Sequence, residues 1–148
     1  MIGLFLQVRV GQHTKLFKIL KIRTYNEIGQ CSKFGGFLRK FKLDELSQLI
    51  NVLKGDMSFV GPRPDIPGFA DILIGEDRVV LSVKPGITGP AALRFRNEEK
   101  LLKEQINPEK YNLEVIWPEK VAINKEYIEN YHIFKDVTYM IKTVFNVF

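Results

Sequence analysis

Leu43, Leu46, Ile50 and Leu53 recur at intervals of three and four residues within RKFKLDELSQLINVLKGDMSFVGPRP, residues 39–64. That spacing predicts one amphipathic helix from about Lys42 to Lys54, with Leu49 at the edge of its apolar face. Asp44, Gln48 and Asn51 line the opposite side, and Glu45 stands about a quarter-turn round from Asp44. Lys54 and Gly55 supply an ordinary helix stop. A capping box would place Ser or Thr three residues before Glu45, yet position 42 is Lys, so the cap is weak or comes from elsewhere. Asp44 and Glu45 suit the positive end of the helix dipole, the common role of acidic residues in a first turn. Beyond the stop, Pro62 and Pro64 fix their own backbone and hold Arg63 in an extended or turn conformation. A guanidinium held that way can pair two oxygens of a phosphate, or simply stand exposed on a rigid turn. Paired carboxylates, preceded by Arg39, Lys40 and Lys42 and followed by PRP, point to phosphate and metal chemistry.

The chain has 148 residues, enough for one domain with a core and too few for two. Its 45% hydrophobic and 26% charged content excludes a disordered chain. Cys31 is the only cysteine, so an internal disulfide and a cysteine zinc cluster are excluded. No run approaches the roughly 20 apolar residues that cross a bilayer, and no signal-peptide layout is present. Residues 1–63 carry a balance of +7 and residues 64–148 one of −2, within a total of +5. A basic half suggests an anionic partner: nucleic acid, a phosphorylated ligand or a membrane surface; a solvated lysine-rich face is the plain alternative. That half offers no aromatic stacking positions and no reader motif, so no nucleic-acid partner is expected.

Residues 4–10 alternate partly and read as a strand turning at Gly11-Gln12; residues 16–22 read as a second strand, which would make a hairpin, or as a short amphipathic segment. A polar loop follows, holding Cys31 and Gly35-Gly36, with Arg23 read as structural or solvated. A helix is expected around Gly68–Ile74, then a segment over Arg78–Val83 leading into Lys84–Pro90 (KPGITGP). That second Gly/Pro-punctuated loop either approaches a ligand with its backbone or merely connects. Asn97–Ile106 reads as a surface helix with Glu98 and Glu99 solvated. From about Pro118 the chain reads as helical to its end. Phe134, Val137, Ile141, Val144 and Phe148 form an apolar stripe there, which Tyr127, Ile128 and Tyr131 extend backwards. Core packing is the expected use of the stripe; a membrane-surface face with Lys135 and Lys142 is the alternative. Asp136 lies beside the stripe, and His132 reads as a surface or packing residue.

With LDEL, NVLKGDMSFVGPRP and KPGITGP in view, the chain resembles the catalytic domain of the bacterial sugar transferases known as monotopic phosphoglycosyl transferases. The resemblance runs from about Phe5 to the C terminus, with KIRT and YIENYHIFKDVTYMIKTVF as further matching segments. It implies an α/β fold: a mainly helical single domain over residues 1–148 with a small β-hairpin or sheet element and amphipathic, membrane-facing helices. It also implies transfer of a sugar phosphate from a UDP-sugar to polyprenol phosphate, starting a lipid-linked surface glycan. Asp44 would be the nucleophile that forms a covalent phosphosugar, and Glu45 would assist it and help hold Mg²⁺. Arg39 would bind phosphate, Arg63 with Pro62 and Pro64 would shape the nucleotide site, and Asp136 matches an aspartate of the closing motif. A carboxylate forms an acyl phosphate once the phosphoryl charge is neutralised and the groups are aligned, and two such steps predict ping-pong kinetics.

Family members carry a re-entrant membrane helix before the segment matching Phe5–Arg9, and only a few residues precede it here. The expectation is therefore an enzyme at the cytoplasmic face of the bacterial inner membrane, or a soluble, inactive fragment that binds nucleotide sugar or membrane without turnover. Ser47 stands where the family usually has proline. PAALRFRNEE replaces the usual continuation after KPGITG, so the resemblance implies no particular sugar, nor a glycan pathway or oligomeric state.

Overall fold

A computed structural model describes residues 4–24, 31–41 and 43–145, except for the Lys40 side chain. Several expectations therefore lie outside the described residues: the start of the helix at Lys42, the loop over 25–30 and the end of the stripe at Phe148.

The fold is mainly helical with two small sheets. Leu4–Val10 (β1) and Leu16–Ile22 (β2) form the expected antiparallel hairpin, with Leu4 opposite Ile22 and Val10 opposite Leu16. Period-two alternation turns Phe17 and Ile19 of β2 inward, where they pack with Met57 against Val52 and Ile87. Gly35 and Gly36, expected in a loop, lie instead in a helix, Lys33–Lys40 (α1), capped by Ser32 Oγ accepting from Gly35 N at 2.9 Å. A Cβ at Gly35 would come within 2.3 Å of the Thr24 carbonyl, so the glycine allows α1 to sit directly on the end of the hairpin.

The single helix expected from Lys42 to Lys54 is two pieces: a 3-10 turn over Leu43–Gln48 and a short helix, Leu49–Leu53 (α2). Its orientation is the larger surprise. Leu46, Ile50 and Leu53 point outward, Leu53 with 88% of its surface exposed, whereas Gln48 and Asn51 are buried. The reason is the open edge of β2. Asn51 Nδ2 donates to the Lys18 carbonyl at 2.8 Å, Asn51 Oδ1 accepts from Leu20 N at 3.3 Å, and Ser47 Oγ donates to the Leu20 carbonyl at 2.7 Å. The polar face of the segment thus satisfies backbone groups that a bare strand edge would leave unpaired.

Ser58–Val60 (β3) runs parallel to Gly86–Thr88 (β4), so the loop expected at Lys84–Pro90 is partly a strand. Ser58 N donates to the Pro85 carbonyl, Gly61 N to that of Thr88 and Gly86 N to that of Pro62, at 2.8, 2.9 and 2.8 Å. The two Gly/Pro motifs are zipped together. Between them the expected helix is replaced by 3-10 turns at Ala70–Ile72 and Gly75–Leu81. These contribute Ala70, Val80 and Leu81 to a core shared with Val10 and Val121.

Short helices Pro90–Arg94 (α3), Glu98–Lys103 (α4) and Pro108–Tyr111 (α5) lead through a π-helical turn, Asn112–Ile116, into Trp117–Glu129 (α6) and Ile133–Phe145 (α7). The expected continuous C-terminal helix therefore breaks between Glu129 and Ile133. Core packing of the α7 stripe is also corrected. No α7 residue is buried, and Phe134, Val137, Ile141 and Val144 face outward. The inner side of α7 is held instead by Thr88 Oγ1, 2.6 Å from Thr143 Oγ1, which itself donates to the Tyr139 carbonyl. Among the described residues no helix is long and apolar enough to cross a membrane.

Candidate active site

The chain ends of β2, α1 and β3 converge with the 3-10 turn and the α6 face around a cleft of about 1010 Å³. Asp44 and Glu45 both line it. In a 3-10 turn, with three residues per turn, consecutive side chains diverge by about 120°. The turn is anchored through Ser47 to the Leu20 carbonyl, which fixes where the two carboxylates open. Among the described residues eight cations line the cleft against five carboxylates, so its field favours an anion.

Glu45 Oε1 accepts from Arg63 Nη2 at 2.7 Å. Burial works against the Arg63 charge, but the Glu45 carboxylate outweighs it and raises the guanidinium pKa. Lys21, from the KIRT segment, has its pKa lowered by burial and by the nearby charges of Arg9 and Arg63. Arg39 Nη2 donates to Glu99 Oε1, and Lys120 Nζ donates to Glu98 Oε2 at 2.7 Å. Glu98 and Glu99, expected as merely solvated, are thus ion-paired members of the cleft wall, as is Arg23 a lining residue.

Of the site residues expected from sequence, Asp44, Glu45, Arg39 and Arg63 come together here. Pro62 lines a small cavity of about 20 Å³ behind Arg63, and Pro64 is buried in the loop that carries it. Asp136 is not among the described residues lining the cleft; its Oδ1 accepts from Tyr127 Oη at 2.6 Å. Burial and that carboxylate drive the Tyr127 pKa upward. Sequence reasoning missed Trp117, Lys120 and Asn124, although their spacing of three and four residues was a legible sign of one helix face.

A second, largely apolar groove of about 760 Å³ adjoins the cleft. Phe37, Phe41, Leu46, Leu49, Phe59 and Val144 line it, and it shares Glu45, Arg63, Ala92, Arg96 and Asn97 with the cleft. Among the described residues no three or more His, Cys, Asp or Glu side chains stand together as a metal cage. The Asp44–Glu45 pair nonetheless suits Mg²⁺, which uses one or two carboxylates and takes its other ligands from phosphates and water.

Asp65 carries its own pH signature. Burial pushes its carboxyl up to about 6, against the pull of Lys120, Arg9 and Arg63. The folded state therefore keeps a proton that the unfolded state has released between about pH 4 and pH 6. Stability from this group is present below that window and is lost as pH rises through about 6. Asp65→Asn keeps the position neutral, so thermal melts should give a Tm above wild type at neutral pH, with the gain shrinking towards pH of about 4.

A domain of antiparallel hairpin, small parallel pair and helices, with two carboxylates at the mouth of a cationic cleft, has the makings of a phosphoryl-transfer enzyme. The family model described as "Bacterial sugar transferase" matches residues 2–148. The chain is 33% identical to the "Uncharacterized sugar transferase EpsL" of Bacillus subtilis, over 95% of this chain and 67% of that protein. It is 30% identical to the "UDP-glucose:undecaprenyl-phosphate glucose-1-phosphate transferase" of Caulobacter vibrioides, over 96% of this chain and 55% of that one. With the "Undecaprenyl-phosphate galactose phosphotransferase" of Salmonella typhimurium it shares 35% identity, over 91% and 31%. The chain belongs to the bacterial sugar transferase family, a family of phosphoglycosyl transferases. It spans from about two thirds to about a third of the length of these relatives.

Proposed function

We propose that this chain transfers a sugar-1-phosphate from a UDP-sugar to a polyprenol phosphate through a phosphosugar carried on Asp44. The observation that carries the reading is the meeting of cationic cleft and apolar groove at Glu45 and Arg63. One substrate is a doubly charged diphosphate and the other a phosphate on a long hydrocarbon; the two cavities match them in kind.

In the first step an Asp44 carboxylate oxygen bonds to the sugar-bearing phosphorus, and the bond to the bridging oxygen breaks. The electron pair leaves with the nucleoside monophosphate. In the second, a phosphate oxygen of the acceptor attacks the same phosphorus and Asp44 departs as free carboxylate. Arg63, Arg39 and Lys21 lie along the cleft to neutralise phosphoryl charge, and the pairing of Arg63 with Glu45 and of Arg39 with Glu99 gives way to the substrate's oxygens. Glu45 would hold Mg²⁺, which would supply further charge neutralisation.

The outward apolar rows of α2 and α7 flank the groove and support docking on the cytoplasmic face of the inner membrane. Leu46, Leu49 and Phe59 on one side and Val144 on the other would then meet the acyl region from which the acceptor enters.

The test is release of UMP. With Mg²⁺ and vesicles containing undecaprenyl phosphate, the chain should release UMP from one member of a panel of UDP-sugars, in parallel-line initial-rate patterns. Tight binding of the UDP-sugar with no UMP release, even from a stoichiometric amount of enzyme, would refute turnover.

A further inference from the structure

Asn124 lies on α6 one turn beyond Lys120 and two beyond Trp117, where it lines both the cleft and the small cavity behind Arg63. The residue is nine-tenths buried, and its Oδ1 has no hydrogen-bond partner among the described residues. Leaving a buried carbonyl without a donor is destabilising, and native structures rarely do so without a use. An apolar side chain would serve this position better if packing were its only purpose. Trp117, Phe95 and Ala91 give the lining its apolar part, and Lys120, one turn before Asn124, is committed to Glu98 and to the face of Phe95.

What Oδ1 needs is an N–H or O–H. The diphosphate of a nucleotide sugar offers none at neutral pH, because its oxygens are ionised acceptors; the same holds for a lipid phosphate. Only the ends of the donor molecule carry such hydrogens: the imide N–H of the uracil ring and the hydroxyls of the sugar. Either ring presents a flat or apolar face suited to Trp117.

We infer that Asn124 is a binding residue for the nucleotide-sugar donor, its carbonyl accepting a hydrogen bond from the base edge or from a sugar hydroxyl. The inference rests on the donor assignment proposed above. It makes Asn124 a specificity determinant, because a site built around one buried acceptor discriminates sharply against a ligand that lacks the matching donor.

The experiment compares the full chain with its Asn124→Leu variant for binding of UMP and of UDP-glucose and UDP-galactose, alongside Tm. Leucine removes the acceptor at nearly constant volume, so Tm should be unchanged or raised while affinity falls roughly tenfold to a hundredfold. Loss for UMP and UDP-sugars alike identifies the base as the source of the hydrogen; loss for UDP-sugars alone identifies the sugar. Unchanged affinity, with or without a change in Tm, overturns the inference. If Tm and affinity fall together, binding repeated well below the variant's Tm decides: affinity still lost from the folded variant upholds the contact, affinity restored overturns it. Wild type binding neither UMP nor any UDP-sugar would overturn the donor assignment itself, and this inference with it.

Discussion

Asp44→Asn should carry no phosphosugar adduct in intact-protein mass spectrometry after incubation with Mg²⁺ and a UDP-sugar, whereas wild type without lipid acceptor should gain the mass of one. Turnover should fall roughly a thousandfold or more, as expected when a covalent nucleophile is removed from a site whose parts act as a unit. The substitution is isosteric, and the segment that carries it is anchored to the β2 edge through Ser47 and Asn51, so folding should be preserved. Donor binding should be kept too, because the variant removes one negative charge from a cleft that must accept a diphosphate. Adduct loss with retained affinity separates chemistry from binding. An adduct of equal yield on the variant would move the nucleophile elsewhere in the cleft, with Glu45 first in line.

The parts of this molecule that the sequence states plainly are those fixed by local chemistry. Partial period-two alternation places β1, residues 16–22 prove the strand of their two readings, and Lys54-Gly55 stops α2 because Gly55 takes φ +83°, a conformation glycine adopts freely. The carboxylate pair and Arg63 also reach one cleft, as their motifs suggest. What periodicity cannot state is which side of an amphipathic helix faces the core. The leucines of residues 43–53 and the aromatic row of α7 have the spacing of a core face, yet both turn outward. In the first case Asn51 and Ser47 are needed against the β2 edge; in the second Thr143 and Asp136 are held by Thr88 and Tyr127. The polar face wins the interior wherever it meets backbone or side-chain partners that apolar groups could not satisfy.

Long-range pairing was equally hidden. Nothing local in GPRP or KPGITGP says that these stretches lie against each other, since a three-residue strand carries too little alternation to be read. The same limit applies to Glu98 and Glu99. A carboxylate pair at the start of a surface helix looks solvated until the fold brings Lys120 and Arg39 across the cleft to meet it.

Gly86→Ala should be among the most damaging single-methyl changes available to this chain. A Cβ at Gly86 would fall 2.2 Å from Gly61 N, 2.6 Å from the Thr88 carbonyl oxygen and 2.6 Å from the Val60 carbonyl carbon. All three are backbone atoms, so no rotamer change relieves the contact, and the β3 and β4 strands must separate. The contact is reciprocal: a Cβ at Gly61 would come within 2.6 Å of the Lys84 carbonyl, and one at Gly89 within 2.4 Å of the Gly61 carbonyl. Separation breaks the bonds from Gly61 N to Thr88 and from Gly86 N to Pro62, which set the loop presenting Arg63 to Glu45. The expected cost is about 3 kcal/mol or more, visible as a Tm loss of roughly 10 °C. Gly36→Ala is the matched control, because nothing lies within 4 Å of its added Cβ and it sits in α1. There the same methyl should be neutral or should stabilise by up to about 1 kcal/mol through helix propensity. Equal melting temperatures for the two variants would mean that the parallel pair yields to a methyl group, and that the positioning of Arg63 does not depend on the close backbone contact of the two motifs.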